Sequence, residues 1–167
     1  MTIERPWLAH YPKNVPAEID LNEFSSIPDV LATSCREFAA KPAFENMGRE
    51  LSYAQIDTLS QQFAAYLVYD LKLKKGDRVA IMLPNVLQYP IAIFGALRAG
   101  LTVVNTNPMY TSRELRHQLV DSGAAAIVVL DNFAATLVEV LPDTTIRHVV
   151  TTGVGDLLGF PKGNIVN

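Results

Sequence analysis

Residues Arg78 to Pro108, RVAIMLPNVLQYPIAIFGALRAGLTVVNTNP, decide the fold. The run Arg78 to Leu83 is rich in Val, Ile, Met and Leu and is bracketed by Gly76-Asp77 and Pro84-Asn85, the pattern of a short buried strand. Ile91 to Leu97 is apolar on nearly every helical face, so its helix must be covered on most sides, and it is too short to span a bilayer. Pro90 has no amide to give a helix interior, which puts the helix start near Leu87 with Pro90 in the first turn, or else a kink there. Gly100 ends the helix as a left-handed cap, and Leu101 to Asn105 is a second strand. Two strands joined by a helix of this length pair as parallel neighbours through a right-handed crossover, so the stretch is a βαβ unit.

The same punctuation extends the pattern in both directions. After it, Thr111 opens a helix with Glu114 as reciprocal cap partner and Leu115 and Leu119 on one face, closed by Ser122-Gly123. Ala124 to Leu130 is a third buried strand; Asp131 reads as the N-cap of a helix whose core face is Phe133, Leu137, Val138 and Leu141, and Ile146 to Thr151 is a fourth strand. Before it, Ser26 caps a short amphipathic helix with Asp29 three residues on and Ile27, Val30, Leu31, Cys35 and Phe38 at helical spacing. Ala43 to Asn46 and Glu50 to Tyr53 form a hairpin about Met47-Gly48. Ser52 and Gln55 then box the start of a helix with Ile56, Leu59, Phe63, Tyr66, Leu67 and Leu71 along one face. Strands alternating with helices predict an α/β fold with a doubly wound, mostly parallel sheet flanked by helices. The expected layout is an extended arm over 1–25 anchored by Trp7 and Tyr11, an α/β subdomain over 26–152 (helices and hairpin 26–71, βαβ core 76–152), and a loop or linker stub over 153–167.

Composition narrows the function. At 167 residues, 49% hydrophobic and 19% charged, the chain can bury one core and is not disordered. Its net charge is -3 and its longest basic patch is Lys72 to Lys75, which is no footprint for nucleic acid. Those lysines sit where cations favour a helix C-terminus, the simpler reading beside phosphate binding. The single Cys35 can make no internal disulfide and reads as a buried apolar residue in a reducing compartment. The first twenty residues lack the apolar core of a signal peptide, so the expectation is a cytoplasmic protein.

Few residues suggest chemistry. Gly153-Val-Gly155-Asp-Leu-Leu-Gly159 follows a predicted strand like a pyrophosphate loop, but its spacing departs from the dinucleotide fingerprint and Phe160-Pro161 prevents a long helix after it. Gly159 to Gly163, with Lys162, imitates the end of a phosphate loop without the preceding hydroxyls and reads as a turn. His10, His117 and His148 are far apart and pair with nothing at metal spacing. Asp20, Glu23 and Asp57 form no carboxylate pair, His117 lies on a charged helix face, and no Gly-x-Ser-x-Gly elbow occurs. The residues by themselves assign no catalytic, cofactor-binding or metal-binding position.

The segments LSYAQIDTLSQQFAAYL and LKKGDRVAIMLPNVLQYPIAIFGALRAGLTVVNTNPMYTSRELRHQLVDSGAAAIVV closely resemble the N-terminal part of adenylate-forming acyl-CoA synthetases, and among them the bacterial long-chain fatty acid CoA ligases. The most specific pieces are Gly76 to Ala80, Leu83-Pro84-Asn85, Gly95 with Ala99-Gly100, Asn107-Pro108 and the helix start Thr111 to Leu115. Trp7 to Pro12 and Gly155 to Gly163 resemble the long-chain branch.

The resemblance implies a parent enzyme that uses ATP, Mg and CoA to turn a fatty acid into acyl-CoA, AMP and pyrophosphate through an acyl adenylate. The family's phosphate loop, adenine and magnesium motif, hinge and C-terminal lysine have no match here, so no catalytic residue is carried over and the chain alone is expected to be inactive. Asn107, Pro108 and the helix Leu87 to Leu97 are expected to be framework near the whole enzyme's clefts. The expected partners are the remainder of the parent chain and a second copy through self-association or domain swapping, with peripheral membrane contact left open. Two other classes stay open: a free-standing nucleotide-binding α/β module, which needs a Gly-rich loop that Pro84-Asn85 does not supply, and a non-catalytic regulatory or interaction domain.

Overall fold

The structure, a computed structural model, describes residues 4–167; the first three residues of the arm lie outside it. Helix α1 (Ile27–Glu37) leads to strands β1 (Pro42–Asn46) and β2 (Arg49–Ser52), then α2 (Tyr53–Ala65), which runs on into a π-helical turn at Tyr66–Asp70. The doubly wound unit follows: β3 (Arg78–Met82), α3 (Gln88–Arg98), β4 (Thr102–Asn105), α4 (Ser112–Ser122), β5 (Ala126–Leu130), α5 (Ala134–Val140) and β6 (His148–Thr152), with a last short helix, α6 (Lys162–Val166).

Four strands make one parallel sheet in the order β4-β3-β5-β6, with Val79 opposite both Val103 and Ala126, and Ala126 opposite His148. Side chains alternate along these strands and so divide the core in two. Val79 and Ile81 of β3 and Ala126 and Val128 of β5 pack against Ala92 and Ala96 of α3 and Leu67 after α2. Ala80 and Met82 with Ile127 and Val129 face the other way, against Leu115 and Leu119 of α4 and Leu137 and Val140 of α5. Every residue of β5 is buried, as a central strand covered on both faces must be. A third cluster joins Leu31 and Cys35 of α1, Leu51, Ile56 of α2, Leu87 and Leu158 of the tail.

Local chemistry sets the boundaries. Ser52 and Gln55 form a reciprocal capping box at α2, as Thr111 and Glu114 do at α4. Met47 (φ 51°) and Gly48 (φ 72°) give the hairpin β1-β2 the two left-handed residues that match strand twist. Gly100 and Gly123 adopt left-handed conformations just past α3 and α4. Pro90 lies at the third position of α3, where an amide has no intrahelical partner to lose.

Several expectations change. Asp131 does not cap α5: it begins a 3-10 turn, Asp131–Phe133, and Phe133 is the residue before the helix. The core face of α5 is Leu137 and Val140 with Phe133 and Leu141 partly buried beside them, an ordinary i, i+4, i+7, i+8 stripe, and Val138, one position off that stripe, is exposed. In α1, Ser26 is the N-cap as expected, its hydroxyl accepting from the Asp29 amide (3.3 Å), but the Asp29 carboxylate accepts from the Ser25 amide and hydroxyl, and Leu31 and Cys35 are buried while Ile27 and Val30 are exposed. Trp7 and Tyr11 are exposed, so they do not anchor the arm on these residues. Around α3, only Pro90, Ala92, Gly95 and Ala96 are buried; Ile91, Ile93, Phe94 and Leu97 are half-covered. Residues 153–167 fold back on the body, where Leu158 is buried, and end in α6.

Candidate functional site

Strand order reverses at β3: the chain passes to β4 on one side, then returns across β3 to β5 and β6 on the other. In open α/β sheets the crevice beyond the strand carboxyl ends at such a switch is the usual ligand position. Here that end is bounded by Pro84 to Leu87 after β3, Thr106 to Tyr110 after β4 and the turn after β5.

Two adjacent residues of α3 organise this end. Gln88 Nε2 donates to the carbonyl of Gly153 (2.7 Å) and to Thr152 Oγ1 (3.2 Å), at the end of β6. Tyr89 donates its hydroxyl to Asn105 Oδ1 (2.9 Å), at the end of β4, and the Asn105 carbonyl accepts from Gln118 Nε2 of α4 (2.9 Å). One turn of helix therefore spans the sheet from edge to edge. Asn107 lies in the turn after β4, where its Oδ1 accepts from the Met109 amide (3.0 Å) and its carbonyl from the Tyr110 amide (3.1 Å).

An apolar groove flanks α3 on each side. The first, about 300 Å3, lies between α2, α3, β5-β6 and the tail and is lined by Leu59, Phe63, Ile91, Val128, Val150 and Leu157, with Gln88 and Asp156 at its polar end. Gln88 Oε1 is buried there without a hydrogen-bond partner. The second, about 390 Å3, lies between the hairpin and α3, lined by Phe44, Val86, Tyr89, Ile93 and Phe94. Asn46 Nδ2 closes one end by donating to the Asn85 carbonyl (2.9 Å).

The glycine-rich tail is engaged internally. The Gly153 amide donates to Asp156 Oδ2 (2.8 Å) and the Gly155 amide to Asn167 Oδ1 (2.6 Å), so the amides that a phosphate would use are held by the chain's own side chains. Asp156 also accepts from Thr152 Oγ1 and Asn167 Nδ2, both at 2.8 Å. The Gly153 amide first, then the Thr152 hydroxyl and the Asn167 amide, hold its carboxyl below the usual range. Lys162 Nζ donates to the Met47 carbonyl (3.3 Å), fastening α6 to the hairpin turn. Lys72 to Lys75 lie before β3, at the opposite end of the sheet.

Cys35 is buried between α1 and α2, and burial first, then the Asp57 carboxylate, raises its thiol. Asp57 and Arg98 pair between α2 and α3. Among the described residues no three His, Cys, Asp or Glu side chains converge to hold a metal ion, and no helix is long and apolar enough to cross a membrane. His117 is exposed on α4 and His148 opens β6, far from it in sequence. Sequence reasoning missed the roles of Gln88 and Asn167, whose partners are decided by how the tail folds back.

Comparison with known proteins gives the arrangement its context. The family model described as "AMP-binding enzyme" matches residues 31–166. A long-chain-fatty-acid–CoA ligase of Yersinia pestis is 53% identical over 165 residues, which is 99% of this chain and 29% of that protein. The chain thus spans less than a third of the length of that relative. Among solved structures, a long-chain-fatty-acid-CoA ligase of Archaeoglobus fulgidus aligns with a TM-score of 0.66 and 25% identity over 83% of this chain and 29% of its own. An anthranilate CoA ligase in complex with anthranoyl-AMP aligns with a TM-score of 0.71 and 21% identity, covering 74% of this chain and 24% of its own, a likeness of fold.

Proposed function

The chain belongs to the AMP-binding enzyme family, and on that premise we propose that it is the N-terminal portion of an ATP-dependent long-chain fatty acid CoA ligase. The observation that carries this reading is 53% identity to such a ligase along 99% of the chain. The whole enzyme would join a fatty acid to CoA through an acyl adenylate, using ATP and Mg and releasing AMP and pyrophosphate. These 167 residues would supply framework to it: a parallel sheet, and the apolar helix α3 with a groove on each side. They contain no Ser/Thr/Gly-rich phosphate loop ending in Lys, so the chain alone is inactive in this reading. The internal engagement of the Gly153 and Gly155 amides weighs against a free-standing nucleotide-binding module. We place the parent enzyme in the cytoplasm, where peripheral contact with a membrane would bring it to a lipid substrate.

The test is thioester and AMP formation by the full-length protein carrying this segment, given ATP, CoA and acids of increasing chain length. Turnover rising toward long acyl chains is expected; turnover only with short or aromatic acids would overturn the reading. Titration of the 167-residue chain with ATP, a fatty acid or a non-hydrolysable acyl adenylate is expected to give no heat. Saturable binding of any of them would show that this portion holds a complete subsite.

A further inference from the structure

The loop that follows α2 carries the longest basic patch of the chain. The π-helical turn Tyr66–Asp70 closes on itself: the Leu71 amide donates to the Tyr66 carbonyl (3.1 Å) and the Leu73 amide to the Leu67 carbonyl (3.1 Å). Backbone therefore finishes this helix end, and no lysine side chain is needed to cap it. Lys72, Lys74 and Lys75 come next, each exposed, and none is in an ion pair among the described residues. Of the neighbouring carboxylates, Asp77 is engaged, its Oδ2 accepting from the Lys74 amide (2.9 Å) and pairing with Arg147 (3.5 Å), which leaves Asp70 against three lysines. Lys72 takes a left-handed φ of 56°, a conformation usually left to glycine, and the Lys75 stem lies on Gly100, where an added Cβ would be 3.2 Å from its Cγ. Tyr69, 71% exposed, and Tyr66, 39% exposed, stand in the same turn.

An unpaired lysine is almost never buried, because its ammonium would leave water without compensation. The patch therefore stays in solvent whatever the rest of the polypeptide adds. Protein interfaces are depleted in lysine, whereas lysines beside tyrosines match an anionic bilayer: the ammonium groups meet headgroup phosphates, and each ring rests at the headgroup level with its hydroxyl in water. From these features we infer that the segment Tyr66 to Lys75 is the face by which the enzyme rests on an anionic phospholipid surface. This rests on the reading of the parent as an enzyme of long acyl chains, substrates that partition into a bilayer.

Co-sedimentation of the full-length protein with vesicles of mixed phosphatidylglycerol and phosphatidylcholine tests this. Binding is expected to the mixed vesicles, to be weaker on phosphatidylcholine alone, and to fall as salt is raised. A lysine near an anionic surface contributes about fivefold, so Lys72→Gln, Lys74→Gln and Lys75→Gln together should lower partitioning on the order of a hundredfold. The same three positions changed to Arg keep the charge and should keep the binding, which separates a lost membrane face from a damaged fold. Unaltered partitioning of the Gln variant, loss in the Arg variant, or equal binding to neutral vesicles would overturn the inference. Complete release by inorganic phosphate at the same phosphate concentration would also overturn it, in favour of a site for a small anion. Ligase assay of the same preparations keeps the two readings apart. Charge-dependent vesicle binding without long-chain turnover retains the membrane face and rejects the function, whereas long-chain turnover with charge-independent binding does the reverse.

Discussion

Gln88 and Tyr89, neighbours in the first turn of α3, hold opposite edges of the sheet: Gln88 reaches Thr152 and Gly153 at β6, and Tyr89 reaches Asn105 at β4. Gln88→Ala removes two hydrogen bonds and takes from the half-buried Gly153 carbonyl its shortest donor, leaving it only the Asp156 amide and the Thr152 hydroxyl, both at 3.4 Å. The expected loss is about 1–3 kcal/mol, against about 1 kcal/mol for Tyr89→Phe at its more open bond, read by urea unfolding. Equal midpoints for both variants and the parent would mean that the spanning turn contributes nothing.

Gly155 and Gly163 meet backbone to backbone. A Cβ at Gly155 would sit 2.3 Å from the Gly163 carbonyl oxygen, and one at Gly163 would sit 2.7 Å from that of Gly155. Backbone cannot step aside as a side-chain tip can, so Gly155→Ala should lift the tail from the body without unfolding the sheet. Limited proteolysis should then cut within 153–167 while the rest stays intact. Unchanged resistance would count against the docked tail.

Carboxylates set the acid behaviour. Asp156, Glu114 and Asp29 all have carboxyls lowered by hydrogen bonds, chiefly from the amides of Gly153, Thr111 and Ser25 respectively. A carboxyl lowered in the folded state contributes stability that is complete above its unfolded pKa and lost as pH falls through the folded one. Stability should therefore hold near neutrality and decline below the ordinary carboxylate range, and Asp156→Asn should flatten part of that decline. Measured midpoints from neutral pH into acid would reveal a slope; none in the parent would contradict these bonds.

Cys35 is 6% exposed and its thiol is raised by burial, which keeps the reactive thiolate scarce near neutral pH. Labelling by a thiol reagent should be slow in the native chain and fast in denaturant. Fast native labelling would show that α1 opens from α2.

The chain leaves apolar side chains uncovered: Ile19 and Leu21 in the arm and Ile27 and Val30 on α1 are each exposed. Such surface favours association, so light scattering of the 167-residue chain should show a mass that rises with concentration. A constant monomer mass at high concentration would remove this expectation.

The sequence alone determined the parallel α/β architecture. Its local signals are strong and agree: β-branched runs between turn residues, capping boxes at Ser52 and Thr111, and left-handed glycines at positions 100 and 123. Each depends on residues within a few positions of one another, so chain order suffices to read it. Tertiary structure decided which apolar faces are closed and which polar groups meet. Val140 is buried and Val138 exposed because the stripe of α5 that meets the sheet runs through Phe133, Leu137, Val140 and Leu141, a choice between two apolar stripes that the packing makes. Gln88 finds Gly153 across 65 residues, and Asn167 finds Gly155 where the Gly155 and Gly163 backbones pack together. Such contacts depend on the path of the folded chain, and no local spacing encodes them.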